Sequence, residues 1–218
     1  MRPRVLKVDL HLHSSHSPDS RVAPRDLVAE AKRRGLHAIA ITDHGTTAGA
    51  LEARKAAKGF QVLIGQEVRT RDGEVIVLGL EDDLMQGQDL AKTCREARDR
   101  GGLVIIPHPF DPLRQGVGKH LGNAVPYVDA IEVCNPRCFF ERSNRKAAEA
   151  ALAHGLPGVA SSDAHRREDV GRAYTLVHGT DVLEAIRQGK VQAVAGQVGK
   201  RALLTRKLAK APRPKGRR

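Results

Sequence analysis

The chain has 218 residues, of which 40% are hydrophobic and only 3% aromatic, enough for one domain with a mainly aliphatic core. No apolar run reaches the roughly 18 residues of a membrane-spanning helix, and MRPRVLKVDL enters a strand pattern without a signal-peptide core, so a cytoplasmic location is expected. The net charge of +12 is concentrated at the C-terminus: nine Lys or Arg and no acids lie between Lys200 and Arg218, and the remainder carries 28 basic against 25 acidic residues.

Along the chain, short apolar runs alternate with amphipathic, Ala-rich stretches. Strands are expected at VLKVDL (5–10), AIAIT (38–42), FQVLIG (60–65), EVIVLGL (74–80), LVIIP (103–107), DAIEVC (129–134), GVASS (158–162), AYTLV (173–177) and VQAVA (191–195). Helices are expected over Pro24–Arg34, Thr46–Lys58, Gln88–Arg100, Arg142–His154 and Thr180–Gln188. Pro24 suits a first helical position, Asp181 an N-cap, and Gly35, Gly59, Gly101, Gly155 and Gly189 follow helix ends. Helices between strands imply βαβ units and a largely parallel sheet, either open or closed into a barrel. The expected organisation is one α/β domain over residues 1–199 and a basic tail over 200–218. That tail reads equally as a nucleic-acid arm making phosphate contacts or as a solubilising terminus.

Polar residues recur where strands end. VLKVDL runs into His11 and His13, AIAIT into Asp43 and His44, FQVLIG into Gln66 and Glu67, and LVIIP into His108. DAIEVC leads to Asn135, Arg137 and Cys138, and GVASS to Asp163 and His165. A single histidine at such a place is usually an ordinary loop or core residue. Six strand ends on one sheet edge would bring these residues together. Imidazole with carboxylate is a donor mix for zinc, manganese or iron rather than calcium. Alternation at a strand end lets His11 and His13 share an ion with Leu12 turned away. The donors outnumber what one ion can use, which points to two or three adjacent ions bridged by a carboxylate such as Glu67. His16, His37, His120, His154 and His178 fall outside the pattern. The three cysteines, Cys94, Cys134 and Cys138, read as free thiols.

The ordered set HLH, SPDS, TDH, GQE, HPF, EVCNPRC and SDAH, from about Val5 to Gly171, resembles the PHP (polymerase and histidinol phosphatase) family. Each motif alone is weak; the set in this order is specific. The resemblance implies a distorted (β/α)7 TIM-like barrel with a trinuclear site at the strand ends, loaded with Zn, Mn or Fe. Within it, His11, His13 and Asp163 would hold the first ion, Glu67 would bridge to the second, and His108 would bind the second. Asp19, His44 and His165 would hold the third. Cys138 is the candidate ninth ligand, with Cys134 and Glu132 as competitors.

The resemblance also implies phosphoester hydrolysis by metal-activated hydroxide, with Glu67, Asp163 and His165 as catalytic residues. Arg137 and Arg166 would bind the substrate phosphate, with Arg114 and Lys119 as weaker candidates. A nucleotide or short oligonucleotide is the expected substrate. The alternatives are a histidinol-phosphate-type phosphatase, whose relatives are usually longer, and a non-catalytic metal-stabilised module associated with nucleic acid.

Overall fold

The structure, a computed structural model, describes residues 5–195; the basic tail over 200–218 lies outside the described residues. The elements follow in the order β1 (Val5–Leu12), α1 (Pro24–Arg33), β2 (Ala38–Ile41), α2 (Ala48–Ala56), β3 (Gln61–Arg69), β4 (Glu74–Leu78), α3 (Leu90–Asp99) and β5 (Leu103–Ile106). They continue with α4 (Leu121–Ala124), β6 (Ala130–Cys134), α5 (Glu141–Ala153), β7 (Gly158–Ala160), β8 (Ala173–His178), α6 (Val182–Arg187) and β9 (Val191–Ala195). The expected helices appear with ends shifted by at most two residues. Asp181 caps α6 by accepting from the Glu184 amide. α4 has no expected counterpart, because four residues are too few to show a helical period. No helix among the described residues is long and apolar enough to cross a membrane.

The nine strands form one sheet in the order β7-β6-β5-β4-β3-β2-β1-β8-β9. β1, β2 and β3 are mutually parallel, as are β5, β6 and β7. β4 runs against both β3 and β5, and β8 against both β1 and β9. The reversal of β4 has a local cause: β3 and β4 are joined through Thr70–Gly73 with no helix between them. The Thr70 amide donates to the Gly73 carbonyl at 2.8 Å, and Gly73 takes a φ of 136°. β3 is longer than FQVLIG suggests, because Gln66 to Arg69 pair with β4.

The sheet curls into a nearly closed barrel. At the upper rim, Leu12 pairs with Ala164 just beyond β7, and the His13 amide donates to the Ala164 carbonyl at 2.9 Å. Lower down a side chain joins β7 to β8: the Thr175 hydroxyl accepts from the Ala160 amide (2.9 Å) and donates to its carbonyl (2.8 Å). The barrel interior is filled by Leu6, Val8, Leu10, Ala38, Ala40, Ile76, Leu78, Leu103, Ile105 and Ala130. The opposite strand faces meet the helices, as Ile39 and Ile41 do beneath α1 and α2.

A register shift between Asp9 and Leu12 reverses this alternation at the top of β1. Leu12 joins the layer under the helices, and His11 and His13 are left to face the barrel mouth.

Thr175→Val keeps the side-chain shape but removes both bonds to Ala160. Loss of buried partners costs about 1–3 kcal/mol. The variant should therefore unfold at a lower thermal midpoint, by about 2–4 °C per kcal/mol for a domain of this size. An unchanged midpoint would show that Thr175 does not close the barrel.

Candidate metal centre

The site is assembled at the C-terminal ends of β1, β2, β3, β5, β6 and β7, the edge that these six parallel-running strands share. His11 and His13 bring their Nε2 atoms to 3.0 Å from one another. Glu67 Oε2 lies 3.4 Å from the first and 3.3 Å from the second; Asp163 Oδ1 lies 3.4 and 3.5 Å from them. A tetrahedral ion with bonds of about 2.1 Å has ligand atoms about 3.4 Å apart. Glu67 Oε2 and Asp163 Oδ1 are also buried with no hydrogen-bond partner. The donor set and its spacing therefore fit a divalent ion.

Two further groups adjoin this one. Glu67 turns its other oxygen, Oε1, to His108 Nε2 at 3.2 Å, so one carboxylate faces two sets of imidazoles. Outward, Asp19 Oδ2 meets His165 Nε2 at 2.9 Å and His44 Nε2 at 3.3 Å. The ring of His13 lies 4.6 Å from that of His44 and 4.2 Å from that of His165. Burial grades across the site: His11, His13, Glu67, His108 and Asp163 are inaccessible, whereas the Asp19 side chain is 47% exposed. The site thus has a closed floor and an open rim.

Other residues hold these side chains in place. Glu132 Oε1 faces His11 Nδ1 at 3.2 Å, and its Oε2 accepts from the His108 amide (2.9 Å) and Asn135 Nδ2 (2.8 Å). Behind His13, Nδ1 lies 3.0 Å from the Ser17 hydroxyl, which donates to Asp43 Oδ1. Asp43 also takes two bonds of 2.6 Å from Ser14. Such partners fix the tautomer and aim of a ligating imidazole. Gly49, in α2, leaves room for this arrangement: a Cβ there would stand 2.0 Å from Asp43 Oδ2. His108 (φ 29°) and Asp163 (φ 54°) are the non-glycine residues with positive φ among those described. That conformation costs energy for such residues and tends to occur at functional sites.

The electrostatics are those of buried acids surrounded by histidines. Burial alone would raise Glu67 and Asp163, but His11, His13 and His108 hold Glu67, and His11, His13 and Arg114 hold Asp163, well below the usual carboxylate range. Burial would likewise lower His11 and His13. Asp163, Glu67 and Glu132 instead keep His11 well above its ordinary value, and Asp163 and Glu67 raise His13 to about 8. His44 and His165, nearer the rim, are lowered, chiefly by burial. Without metal, protons on His11 and His13 neutralise the carboxylates.

A family model described as "PHP domain" matches residues 9–109, and one described as "PHP-associated" matches residues 141–191. The chain is 36% identical over 142 residues to an uncharacterized protein of Methanocaldococcus jannaschii, covering 60% of this chain and 82% of that protein. The chain belongs to the PHP family. A 5′-3′ exoribonuclease of Haemophilus influenzae is 35% identical over 119 residues, which are 48% of this chain and 43% of that enzyme. Among solved structures, a two-domain protein from Bacteroides vulgatus containing a predicted PHP-like metal-dependent phosphoesterase shares the fold. Its TM-score is 0.74 at 23% identity, over 88% of this chain and 65% of that one.

In this PHP protein, eight of the nine residues named from sequence as ligands enter groups able to hold an ion: His11, His13, Asp19, His44, Glu67, His108, Asp163 and His165. Cys138 enters none. Burial and the nearby Glu132 and Asp111 charges push its thiol pKa up. Glu132 stands behind His11 and His108, and Cys134 is absent from the groups. Glu74 joins His44 and Glu67 in a fourth group. A search of strand C-terminal ends passes over Glu74, because the reversed β4 brings its N-terminal end to the site.

The arginines also divide. Arg114 is mostly buried and ion-paired through Nη1 to Asp163 Oδ2. Arg137 donates from Nη1 to the Asp163 carbonyl at 3.2 Å and touches His165 Nδ1. Arg166 and Lys119 are exposed. Of the histidines outside the pattern, His16 pairs with Glu52 at 2.8 Å and His37 accepts from the Lys7 amide.

The charge state predicts a proton-coupled uptake of metal. His13, with a pKa of about 8, is mostly protonated at pH 7 and must deprotonate to bind. Affinity for manganese or zinc should therefore rise as the pH is raised from about 6 through 8. Calorimetry at pH 7 in buffers of different ionisation enthalpy should register release of about one or two protons per chain. A pH-independent affinity would contradict this charge assignment.

Proposed function

We propose that this protein is a metal-dependent phosphoesterase acting on nucleotides or short oligonucleotides at a site for two or three divalent ions, Zn, Mn or Fe. The observation that carries the reading is Glu67, whose two oxygens face different sets of histidines beside an unpartnered Asp163 oxygen. Membership of the PHP family and the likeness to a 5′-3′ exoribonuclease support the reaction and the substrate class.

In this reading His11, His13, Asp163 and Glu67 hold the first ion, Glu67 and His108 the second, and Asp19, His44 and His165 the third. Glu74 is the added oxygen donor within reach of Glu67. The bound ions supply Lewis acidity, lowering the pKa of water to about 7 and neutralising phosphate oxygens.

The protein's own residues supply position and charge. Glu132 and Ser17 keep His11 and His13 aimed. Asp19, His44 and His165 form the accessible side on which a phosphate can land. Arg137, 39% exposed beside His165, is placed to take a phosphate oxygen, and Arg166 directly follows His165 in the loop after β7. Arg114 is committed to Asp163 and acts as a positioning residue for it. The open rim favours catalysis over a purely structural role, since buried ligands alone would serve a structural ion.

The purified protein with manganese should hydrolyse p-nitrophenyl phosphate or adenosine 3′,5′-bisphosphate. Asp163→Ala and Glu67→Ala should each lose roughly a thousandfold or more, since ligand loss forfeits several kcal/mol of charge stabilisation at 1.36 kcal/mol per decade. Elemental analysis should find two or three ions per chain. Fewer than one ion, or hydrolysis that survives Asp163→Ala, would overturn the reading.

A further inference from the structure

Beside the metal centre, the segment PRCFFERSNRK (136–146) places two phenylalanines among four basic residues. It leaves the end of β6, passes Arg137, and becomes the first turns of α5. Phe139 is 70% exposed, and its ring meets Phe140 edge-on at 4.8 Å. The guanidinium of Arg142 lies over the Phe140 ring at 4.4 Å. The other aromatic residues, Phe60, Phe110, Tyr127 and Tyr174, pack against the core. In a chain so poor in aromatic residues, Phe139 is the one held out to solvent.

The basic residues beside it have no acidic partners. Arg142, Arg145 and Lys146 are exposed and lie three and four positions apart, hence on one helix face. None of the three forms an ion pair among the described residues. The patch is fixed to the metal centre. Asn144 of α5 accepts from the Asn135 amide (3.1 Å) and donates to its carbonyl (3.0 Å). Asn135 in turn donates to Asp163 Oδ2 at 2.9 Å.

Resting on the phosphoesterase reading above, we infer that this surface is a track for single-stranded nucleic acid, leading from the metal centre across Phe139 onto Arg142, Arg145 and Lys146. An exposed ring stacks any base, and a row of unpaired cations follows the phosphates, so the surface is suited to a strand of any sequence. A helix face with cations and an outward phenylalanine suits an unpaired strand better than a duplex, whose bases are stacked out of reach.

The test is fluorescence anisotropy with a 3′-fluorescein-labelled, 5′-phosphorylated hexaadenylate, phosphorothioate-linked to resist cleavage, on the full manganese-loaded chain. Phe139→Ala should weaken binding roughly 10- to 100-fold, and Phe139→Tyr should restore it. The pair Arg142→Ala/Arg145→Ala should flatten the slope of log affinity against log salt by about 1.4, or 0.7 per phosphate contact. Residues 200–218 are present in every variant, so their contribution cancels. Circular dichroism checks that each variant folds. Unchanged affinity in Phe139→Ala, full rescue by Phe139→Leu, or an unchanged salt slope in the arginine pair would overturn the track. So would a wild-type affinity for the hexamer no greater than for adenosine 3′,5′-bisphosphate. Failure of the wild-type protein to hydrolyse p-nitrophenyl phosphate would instead overturn the phosphoesterase reading, so the two failures are distinguishable.

Discussion

Three carboxylates, Glu67, Glu132 and Asp163, are fully buried within one barrel mouth, and the surrounding architecture answers that concentration of negative charge. Isolated buried anions are very costly, and like charges side by side are worse. The barrel offsets them with imidazoles from separate strand ends and with the guanidinium of Arg114. Histidine suits this role because it can hold a proton when no metal is present and give it up when one arrives. An aliphatic core below and a polar ring above are therefore two parts of one arrangement. Apolar interior positions such as Ala130 give way, two residues further along the same strand face, to Glu132.

Strand direction converts that requirement into a site. Six strands running the same way deliver their terminal residues to one edge, where loops carry few obligations to the ladder. The register shift in β1 turns two histidines toward the mouth, and the positive φ of His108 and Asp163 sets two more donors where a regular strand would not. The reversed β4 contributes from its beginning rather than its end.

Much of this was legible in the sequence. HLH, TDH, GQE, HPF and SDAH each follow an apolar run, so polar residues stand out where a strand must stop. Glycines after helices marked the layers between strands. Other features were hidden for identifiable reasons. Glu74 follows a two-residue turn signal, and only the direction of β4 reveals its place. Glu132 was legible only as a competing ligand, and its place behind His11 and the His108 amide depends on tertiary packing. Cys138 fits the family pattern by spacing, but it enters none of the groups able to hold an ion. Arg114 stood only as a weaker candidate for the substrate phosphate, and its burial against Asp163 depends on tertiary packing.

The closure of the rim carries a mechanical consequence. Leu12 and Ala164, some 150 residues apart, pair at the seam of the barrel, and donors of the proposed first ion flank that seam, His11 and His13 on one side and Asp163 on the other. A cation shared across it is a rivet joining the first strand to the seventh. Cofactor content and structural integrity would then rise and fall together, with the empty protein parting first along the line where the two ends of the ring meet.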